Sequence, residues 1–174
     1  MTIHTVSNAG PLIVLGKLNR LQLLADLYGT VAIPQTVYDE VVTEGLRRGA
    51  TDAMVVRLFW YQKQWPILES PPESWQQYQA HIQLDRGEQD VLVLASTVQA
   101  KLVLLDDEAA RGEARRLGFT VRGSVGIVAQ SYQRGFLTFP EAELLLQEIA
   151  MRSDIWINER LCQQVIQSLR QIKR

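Results

Sequence analysis

The segment KLVLLDD, residues 101–107, decides the fold, because an uninterrupted apolar run ends there in two adjacent carboxylates. Four apolar residues in a row, 102–105, leave no polar side, which predicts a strand buried on both faces. A helical pattern over residues 108–117 follows at once, so Asp106 and Asp107 are expected on a strand-to-helix turn. In a parallel α/β sheet such turns lie at the carboxyl edge, where ligands bind. Because a helix cap needs only one of the two acids, the pair favours an acidic site that holds a cation.

Composition limits the classes of protein that the chain can belong to. The 174 residues suit one domain, and 47% hydrophobic with 21% charged residues is typical of a globular protein. The formal net charge is −1, so a nucleic acid would have to be met by a local basic patch. One cysteine, Cys162, excludes an internal disulfide, and two histidines make a histidine-rich metal site unexpected. Neither a leader pattern nor an apolar run of about 20 residues is present, which predicts a cytoplasmic protein without membrane contact.

The order of elements predicts an α/β fold. Short strands are expected at residues 3–6, 31–33, 66–68, 102–105 and 119–121, in alternation with helical patterns. Pro11 suits the first turn of the first helix, and Asn19 is expected to cap the second. Such alternation implies a parallel sheet flanked by helices. The first predicted helix ends at residue 18. The others cover residues 21–28, 35–48, 51–61, 73–81, 87–99, 108–117, 124–134, 140–152 and 158–172.

Polar side chains fall beside these strand ends in a set that would suit a metal. Asn8, Glu40, Glu88 and the Asp106/Asp107 pair each lie next to a predicted strand end or on the helix that follows one. Individually, Glu40 is better explained as a solvated helix face, and Glu88 as an acid that gains about 0.3–1 kcal/mol from a helix macrodipole. As a set they are hard oxygen ligands, which suit Mg²⁺ or Mn²⁺. Such an ion supports hydrolysis without a protein nucleophile.

Several motifs in this order resemble a PIN domain. They are SNAGPLI at 7–13, VYDEV at 37–41, LDRGE at 84–88, LLDD at 104–107 followed by Ala110-Arg111, LGF at 117–119 and GSVG at 123–126. More narrowly, they resemble the uncharacterised prokaryotic PIN subfamily with N/D-x-S-P-L and L-D-x-G-E motifs. The resemblance implies a three-layer α/β/α fold with a central parallel sheet and additional C-terminal helices. It implies a single domain over 1–174, with a core of about 1–135 and a helical extension of about 136–174.

The same resemblance implies an activity and a set of site residues. PIN relatives are Mg²⁺- or Mn²⁺-dependent ribonucleases, and the VapC-type toxins among them are often dimeric and paired with a small antitoxin. Carried over by motif, Asn8, Glu40 and Glu88 take the first three acid positions and Asp107 the fourth, with Asp106 as the near alternative. Glu40, Glu88, Asp106 and Asp107 are thus the implied catalytic residues, and Asn8, Glu40, Glu88 and Asp107 the implied metal ligands.

Asn8 departs from the family pattern, because typical active members have aspartate there, and Gly10 stands where many have serine. Asparagine still offers a carbonyl oxygen to a cation but adds no negative charge. Two hypotheses follow: a toxin-like metal-dependent endoribonuclease, or a catalytically weak or inactive module that binds RNA or an antitoxin. A phospho-acceptor pocket like that of receiver domains fits worse, because there the acid pair follows the first strand.

A basic surface for RNA, single-stranded or structured, is expected next to the acids. Arg111, Arg115 and Arg116 lie on the helix after the aspartates, and Arg122 follows the next strand. Arginine binds phosphate through its bidentate fork, but pairing of these residues with Glu108 and Glu113 is about as plausible. Ser124 is a weaker candidate that corresponds by motif to a hydroxyl near the site in relatives.

Aromatic and apolar residues suggest how the rest of the chain packs. The four tryptophans, at 60, 65, 75 and 156, are expected in the core or a dimer interface rather than stacked on bases. The segment 136–152 places Leu144, Leu145, Ile149 and Ala150 near one face, which together with the family resemblance predicts a homodimer.

Overall fold

The computed structural model describes residues 2–70 and 83–172. The helix predicted at 73–81, together with Trp75, lies outside these residues. Within them, every predicted strand is found to within about two residues. The strands are β1 (Thr5–Ser7), β2 (Ile33–Pro34), β3 (Ile67–Leu68), β4 (Leu102–Leu104) and β5 (Thr120–Arg122).

The helices also follow the predicted pattern. The segment predicted at 35–48 is helical but changes pitch, because a π-helical stretch over Asp39–Glu44 separates two α-helical pieces. Such π-helical stretches are uncommon and frequently occur at functional sites, and this one carries Glu40. The α-helices are α1 (Ala9–Lys17), α2 (Gln22–Tyr28), α3 (Gln35–Tyr38), α4 (Gly45–Arg47), α5 (Thr51–Lys63), α6 (Arg86–Thr97), α7 (Glu108–Arg116), α8 (Ser124–Gln133), α9 (Phe139–Met151) and α10 (Glu159–Arg170).

All strand pairs are parallel. One sheet has the order β1-β4-β5, and β2 pairs with β3. A bridge between Val6 and Ala32 joins the two, with the Ser7 N–H donating to Ala32 O at 3.0 Å and the Ala32 N–H to Thr5 O at 3.0 Å. The strands therefore lie in the order β3-β2-β1-β4-β5, which brings the carboxyl ends of β1 and β4 together at one edge. This confirms the predicted α/β fold with a parallel sheet flanked by helices.

Helices cover the sheet and enclose the core. Helix α6 packs on β1, β2 and β4, while α1 packs against α5 and α8. Val103, Leu104 and Leu105 are completely buried, as the apolar run predicted. The C-terminal helices α9 and α10 pack on each other and on α8.

The C-terminal packing changes the argument for a dimer. Leu145 and Ile149 are buried within this chain, so they do not form an apolar face for a second copy. Only Leu144 of that predicted face is largely exposed, at 63%. A dimer therefore rests on the family resemblance and remains a proposal.

Two local predictions are corrected by the structure. Asn19 does not cap α2, because it adopts a left-handed conformation (φ 53°) after α1, and α2 begins without a side-chain cap. Pro34 is the second residue of β2, so this strand extends one residue beyond its predicted end. At Gly45 a Cβ would lie 2.7 Å from Ala53 Cβ, so glycine permits close packing of this helical segment against α5.

Across residues 2–70 and 83–172, no helix is both long enough and apolar enough to cross a membrane.

Candidate active site

Asn8 lies at the carboxyl end of β1, where the chain turns into α1. Its backbone N–H donates to Leu104 O at 2.9 Å, so the ends of β1 and β4 are held side by side. Its side chain does not cap α1, and Asn8 Oδ1 is buried without a hydrogen-bond partner among the described residues. A buried oxygen left without a donor costs about 1–3 kcal/mol. Such atoms call for an explanation, and a bound ion or water is a common one.

The space that Asn8 faces is shared with two acids. A Cβ on Gly87 would lie 3.3 Å from Glu40 Oε2, 3.5 Å from Asp85 Oδ1 and 3.6 Å from Asn8 Oδ1. Oxygen atoms from three separate segments of the chain therefore lie within 3.6 Å of one point, and only glycine leaves that point open. Asp85 was not among the predicted site residues.

Glu88 has a local role as well as a place in this cluster. The Glu88 N–H donates to Asp85 Oδ1 at 2.7 Å, and the Asp85 N–H donates to Glu88 Oε2 at 3.1 Å. This reciprocal capping box starts α6, and it explains Glu88 better than the macrodipole does. It engages only one carboxylate oxygen, so Glu88 retains an oxygen for other contacts.

Two acids of the cluster, Glu40 and Glu88, have raised pKa values. Burial raises the pKa of Glu88, and the negative charges of Asp85, Asp107 and Glu40 raise it further, against the opposing hydrogen bond from the Asp85 backbone. Burial also raises the pKa of Glu40, with the charge of Asp85 adding to it and that of Arg48 opposing it. Repulsion between like charges held near each other in this way is relieved when a proton or a cation binds.

The two aspartates after β4 have different environments. Asp107 is exposed and caps α7, with its Oδ1 accepting from the Ala110 N–H at 2.8 Å. Both oxygens of Asp106 are bound by Ser124, whose N–H donates to Oδ1 at 2.7 Å and whose hydroxyl donates to Oδ2 at 2.6 Å. Asp106 therefore fastens the end of β4 to the start of α8. Because Ser124 engages both oxygens of Asp106, a direct chemical role for Asp106 is not supported. The charge of Asp107, by contrast, acts on Glu88 and raises its pKa.

Burial raises the pKa of Asp106, while the two Ser124 hydrogen bonds and the Arg111 charge oppose the rise. Glycines allow this close packing. A Cβ on Gly10 would lie 3.1 Å from Asp106 Oδ2, and one on Gly123 would lie 2.7 Å from Asp106 Oδ1 and 2.6 Å from Arg111 Nη1.

The predicted basic residues divide into two groups. Arg115 pairs with Glu108 at 3.3 Å, and Arg116 pairs with the buried Glu113 at 2.6 Å, so the ion-pair alternative holds for both. Arg111 and Arg122 line a groove beside Asp106, and Arg111 also pairs with Glu108 at 3.5 Å.

The prediction that Ser124 contacts nucleic acid is not supported. This serine is fully buried, and its N–H and hydroxyl are both committed to Asp106.

The tryptophans also differ from one another. Trp60 and Trp65 are buried and pack edge to face with ring centroids 5.1 Å apart, as predicted. Trp156 is 95% exposed, so it does not pack in the core of this chain, and its place in a dimer interface stays a prediction. Sequence reasoning also missed Asp85, although the D-x-x-E pattern at 85–88 signals a capping box.

The donor atoms are of the type that binds a hard divalent cation, but their positions do not form a metal site as they stand. Carboxylate and amide oxygens from Asn8, Glu40, Glu88 and Asp107 are the ligands that Mg²⁺ and Mn²⁺ prefer. The unpaired Asn8 oxygen fits such an ion. However, within the part of the chain that the structure describes, no three His, Cys, Asp or Glu side chains form a group that could hold a metal as they stand.

Comparison with known proteins gives one result that bears on this site. No curated protein matches the chain. A family model described as a PIN domain matches residues 4–171, which is nearly the whole chain. The protein therefore belongs to the PIN-domain family, as the motifs predicted.

Proposed function

We propose that this protein is a Mg²⁺- or Mn²⁺-dependent endoribonuclease in which Asn8, Glu40, Glu88 and Asp107 hold the cation. One observation carries the proposal: the buried Asn8 Oδ1 has no hydrogen-bond partner among the described residues and shares the space above Gly87 with Glu40 Oε2. The family match adds a nuclease-type function in general terms.

The residues of this chain contribute to the chemistry in separate ways. When bound, the cation polarises a phosphoryl oxygen and lowers the pKa of its bound water. Glu40 and Glu88 have raised pKa values, so each tends to hold a proton or to repel its acidic neighbours. The charge of a bound cation would displace such a proton and offset this repulsion. Asp107 adds a charge at the start of α7, and Asp106 keeps the neighbouring strand end in place through Ser124.

Within this proposal the protein acts as a toxin-like component, with a small antitoxin protein as a partner and a homodimer as the assembled form. Both features rest on the likeness to VapC-type toxins. Leu144, 63% exposed on α9, is the residue of the predicted dimer face that remains available.

A second function is favoured by one specific observation. Asn8 is neutral, so the cluster holds one negative charge fewer than a site with aspartate at the first position. Weaker cation binding would leave a PIN module that binds RNA or an antitoxin and cleaves slowly or not at all.

The test of the first function is cleavage of a labelled RNA with Mn²⁺, with Mg²⁺ and with EDTA. We expect cation-dependent cleavage by the natural protein, and its loss in Glu88→Gln and in Asp107→Asn. Both substitutions keep the cap while they remove a charge, because glutamine serves in a capping box and asparagine as an N-cap. Asp39→Asn is the matched control, since Asp39 is an exposed acid next to Glu40 that bonds only to Gln35 and Thr43 in the described structure. Cleavage that survives both site substitutions would place the chemistry elsewhere.

Asn8→Asp separates the two functions. If the missing charge limits the reaction, this substitution should speed cleavage by tenfold or more, which corresponds to only about 1.4 kcal/mol of barrier. If the amide is an adequate ligand, the rate should change little. The binding module is favoured if neither the natural protein nor Asn8→Asp cleaves RNA with either cation.

A further inference from the structure

A groove opens beside the acid cluster on the side of Asp106. Its volume is about 670 Å³, and its walls come from the end of β5, the first turn of α8 and the amino-terminal half of α10. The side chains that matter here are Arg111, Arg122, Trp156 and Arg160, which all line it. Because Asp106 also lines it, and Asp107 belongs to the acid cluster, the groove and the candidate active site are adjacent.

The groove carries unneutralised positive charge although the whole chain is slightly acidic. Its two acids are already engaged, Asp106 by Ser124 and Glu108 by Arg111 and Arg115. Within the described residues, Arg122 and Arg160 have no ion-pair partner, and Arg122 Nε is buried without an acceptor. Tyr28 does not neutralise Arg122, because burial raises the pKa of that phenol to about 12.

Trp156 stands exposed in this groove on a loop that is fixed on both sides. Its indole N–H donates to Ser153 O at 3.2 Å, and the preceding Ile155 is buried. Asp154 accepts two hydrogen bonds from Arg152, each of 2.9 Å, and its carbonyl oxygen accepts one of 2.6 Å from Lys17 Nζ. The loop is therefore tied to the end of α1, while the indole ring leaves 95% of its surface to solvent. Its position is held by these contacts, and its ring face is open.

We propose that this groove binds single-stranded RNA, with one unpaired base stacked on Trp156 and the phosphates beside it held by Arg122 and Arg160. An aromatic face next to unpaired arginines is the arrangement by which proteins hold single strands. A base inside a duplex is already stacked on both faces, so Trp156 selects unpaired nucleotides. The identity of the strand as a cleavable substrate rests on the proposed ribonuclease function. Because Asp106 lines the groove next to the acid cluster, the backbone of the bound RNA would continue towards that cluster.

The binding test uses an unstructured oligoribonucleotide of about 12 nucleotides with a fluorescent label, and anisotropy in EDTA so that no cleavage occurs. Trp156→Ala should weaken binding about five- to hundredfold, as expected for one lost base stack, and Trp156→Phe should restore most of it. Arg160→Gln should lower the slope of log affinity against log salt by about 0.7, which is the value for one lost phosphate contact on a single strand.

Matched controls come from α5, which does not line the groove. Tyr61→Ala removes another exposed aromatic ring, 83% exposed, and Arg57→Gln removes another exposed arginine charge. Both variants should bind as the natural protein does. Equal losses of affinity in Tyr61→Ala and Trp156→Ala would overturn the proposal that the groove binds RNA. Equal or tighter binding of a duplex of the same length would also overturn it, and so would the absence of binding by the natural protein at low salt.

Cleavage of the same oligonucleotide with Mn²⁺ separates this inference from the proposed function. Cleavage that depends on Glu88 but not on Trp156 at limiting substrate would overturn the groove and leave the ribonuclease. Binding that depends on Trp156, without cleavage under any condition, would support the groove and overturn the ribonuclease.

Discussion

The contact between Ser124 and Asp106 gives a prediction that can be worked out from the structure. Replacing Ser124 by alanine removes the 2.6 Å hydrogen bond to Asp106 Oδ2 and keeps the 2.7 Å bond from the backbone N–H. Hydrogen bonds to charged groups contribute about 1.5–3 kcal/mol. For a chain of this size, each kcal/mol shifts the melting temperature by about 2–4 °C. We therefore expect Ser124→Ala to melt about 3–12 °C lower at neutral pH.

The same substitution predicts a pH dependence with a definite sign. Burial raises the pKa of Asp106 in the folded state, so its ionised form costs native stability above that pKa, and this cost disappears as pH falls towards the unfolded value. The Ser124 hydroxyl reduces the cost only while Asp106 is ionised. The deficit of Ser124→Ala relative to the natural protein should therefore be largest at neutral pH and shrink as the pH falls through the raised pKa.

Thermal melts of both proteins between pH 4 and pH 8 measure this difference. Ser131→Ala is the matched control, because Ser131 is a fully buried serine on the same helix whose hydroxyl donates to Ile127 O at 2.8 Å. Its deficit should be small and independent of pH, since no carboxylate is involved. A Ser124→Ala deficit that is absent, or that is the same at every pH, would refute the assignment of Asp106 as the residue that fastens β4 to α8.

Two further predictions concern glycines that keep the site open. Gly87→Ala should fold but lose cation binding and cleavage, because its Cβ would lie within 3.6 Å of oxygens from Asn8, Glu40 and Asp85; unchanged cation affinity by calorimetry would contradict it. Gly123→Ala should lower the free energy of unfolding by about 1–3 kcal/mol, as is typical for overpacking, because its Cβ would lie 2.7 Å from Asp106 Oδ1 and 3.1 Å from Leu105 O. Urea unfolding measures that loss. An unchanged free energy of unfolding would contradict the prediction, because it would mean that the turn between β5 and α8 can accommodate a Cβ.

The fold could be predicted because its signals are local. The apolar run before Asp106 identifies β4, and alternation of short strands with helices identifies the parallel sheet. Asn19 was predicted wrongly because a cap residue and a left-handed residue that follows a helix share the same preference for asparagine. The structure separates them by the backbone conformation alone.

The site could be predicted only in part, because roles there depend on distant residues. The sequence could not rank Asp106 against Asp107, since the partner of Asp106 is Ser124, 18 residues later. Trp156 could not be recognised as exposed, because its environment is set by the contacts of Arg152 and Lys17 with Asp154, and Lys17 lies on α1 at the other end of the chain.

The measurement that tests the cation site most directly is the melting temperature of the natural protein and of Glu40→Gln, each with EDTA and with Mn²⁺. Because burial and the charge of Asp85 raise the pKa of Glu40, its ionised form costs stability above that pKa, and the neutral variant should melt higher than the natural protein in EDTA at neutral pH. A cation at ten times its dissociation constant adds about 1.4 kcal/mol, or about 3–6 °C. The account predicts this gain with Mn²⁺ for the natural protein and little or none for Glu40→Gln. Equal gains in both proteins, or no gain in either at millimolar Mn²⁺, would contradict a cation site at Asn8, Glu40, Glu88 and Asp107.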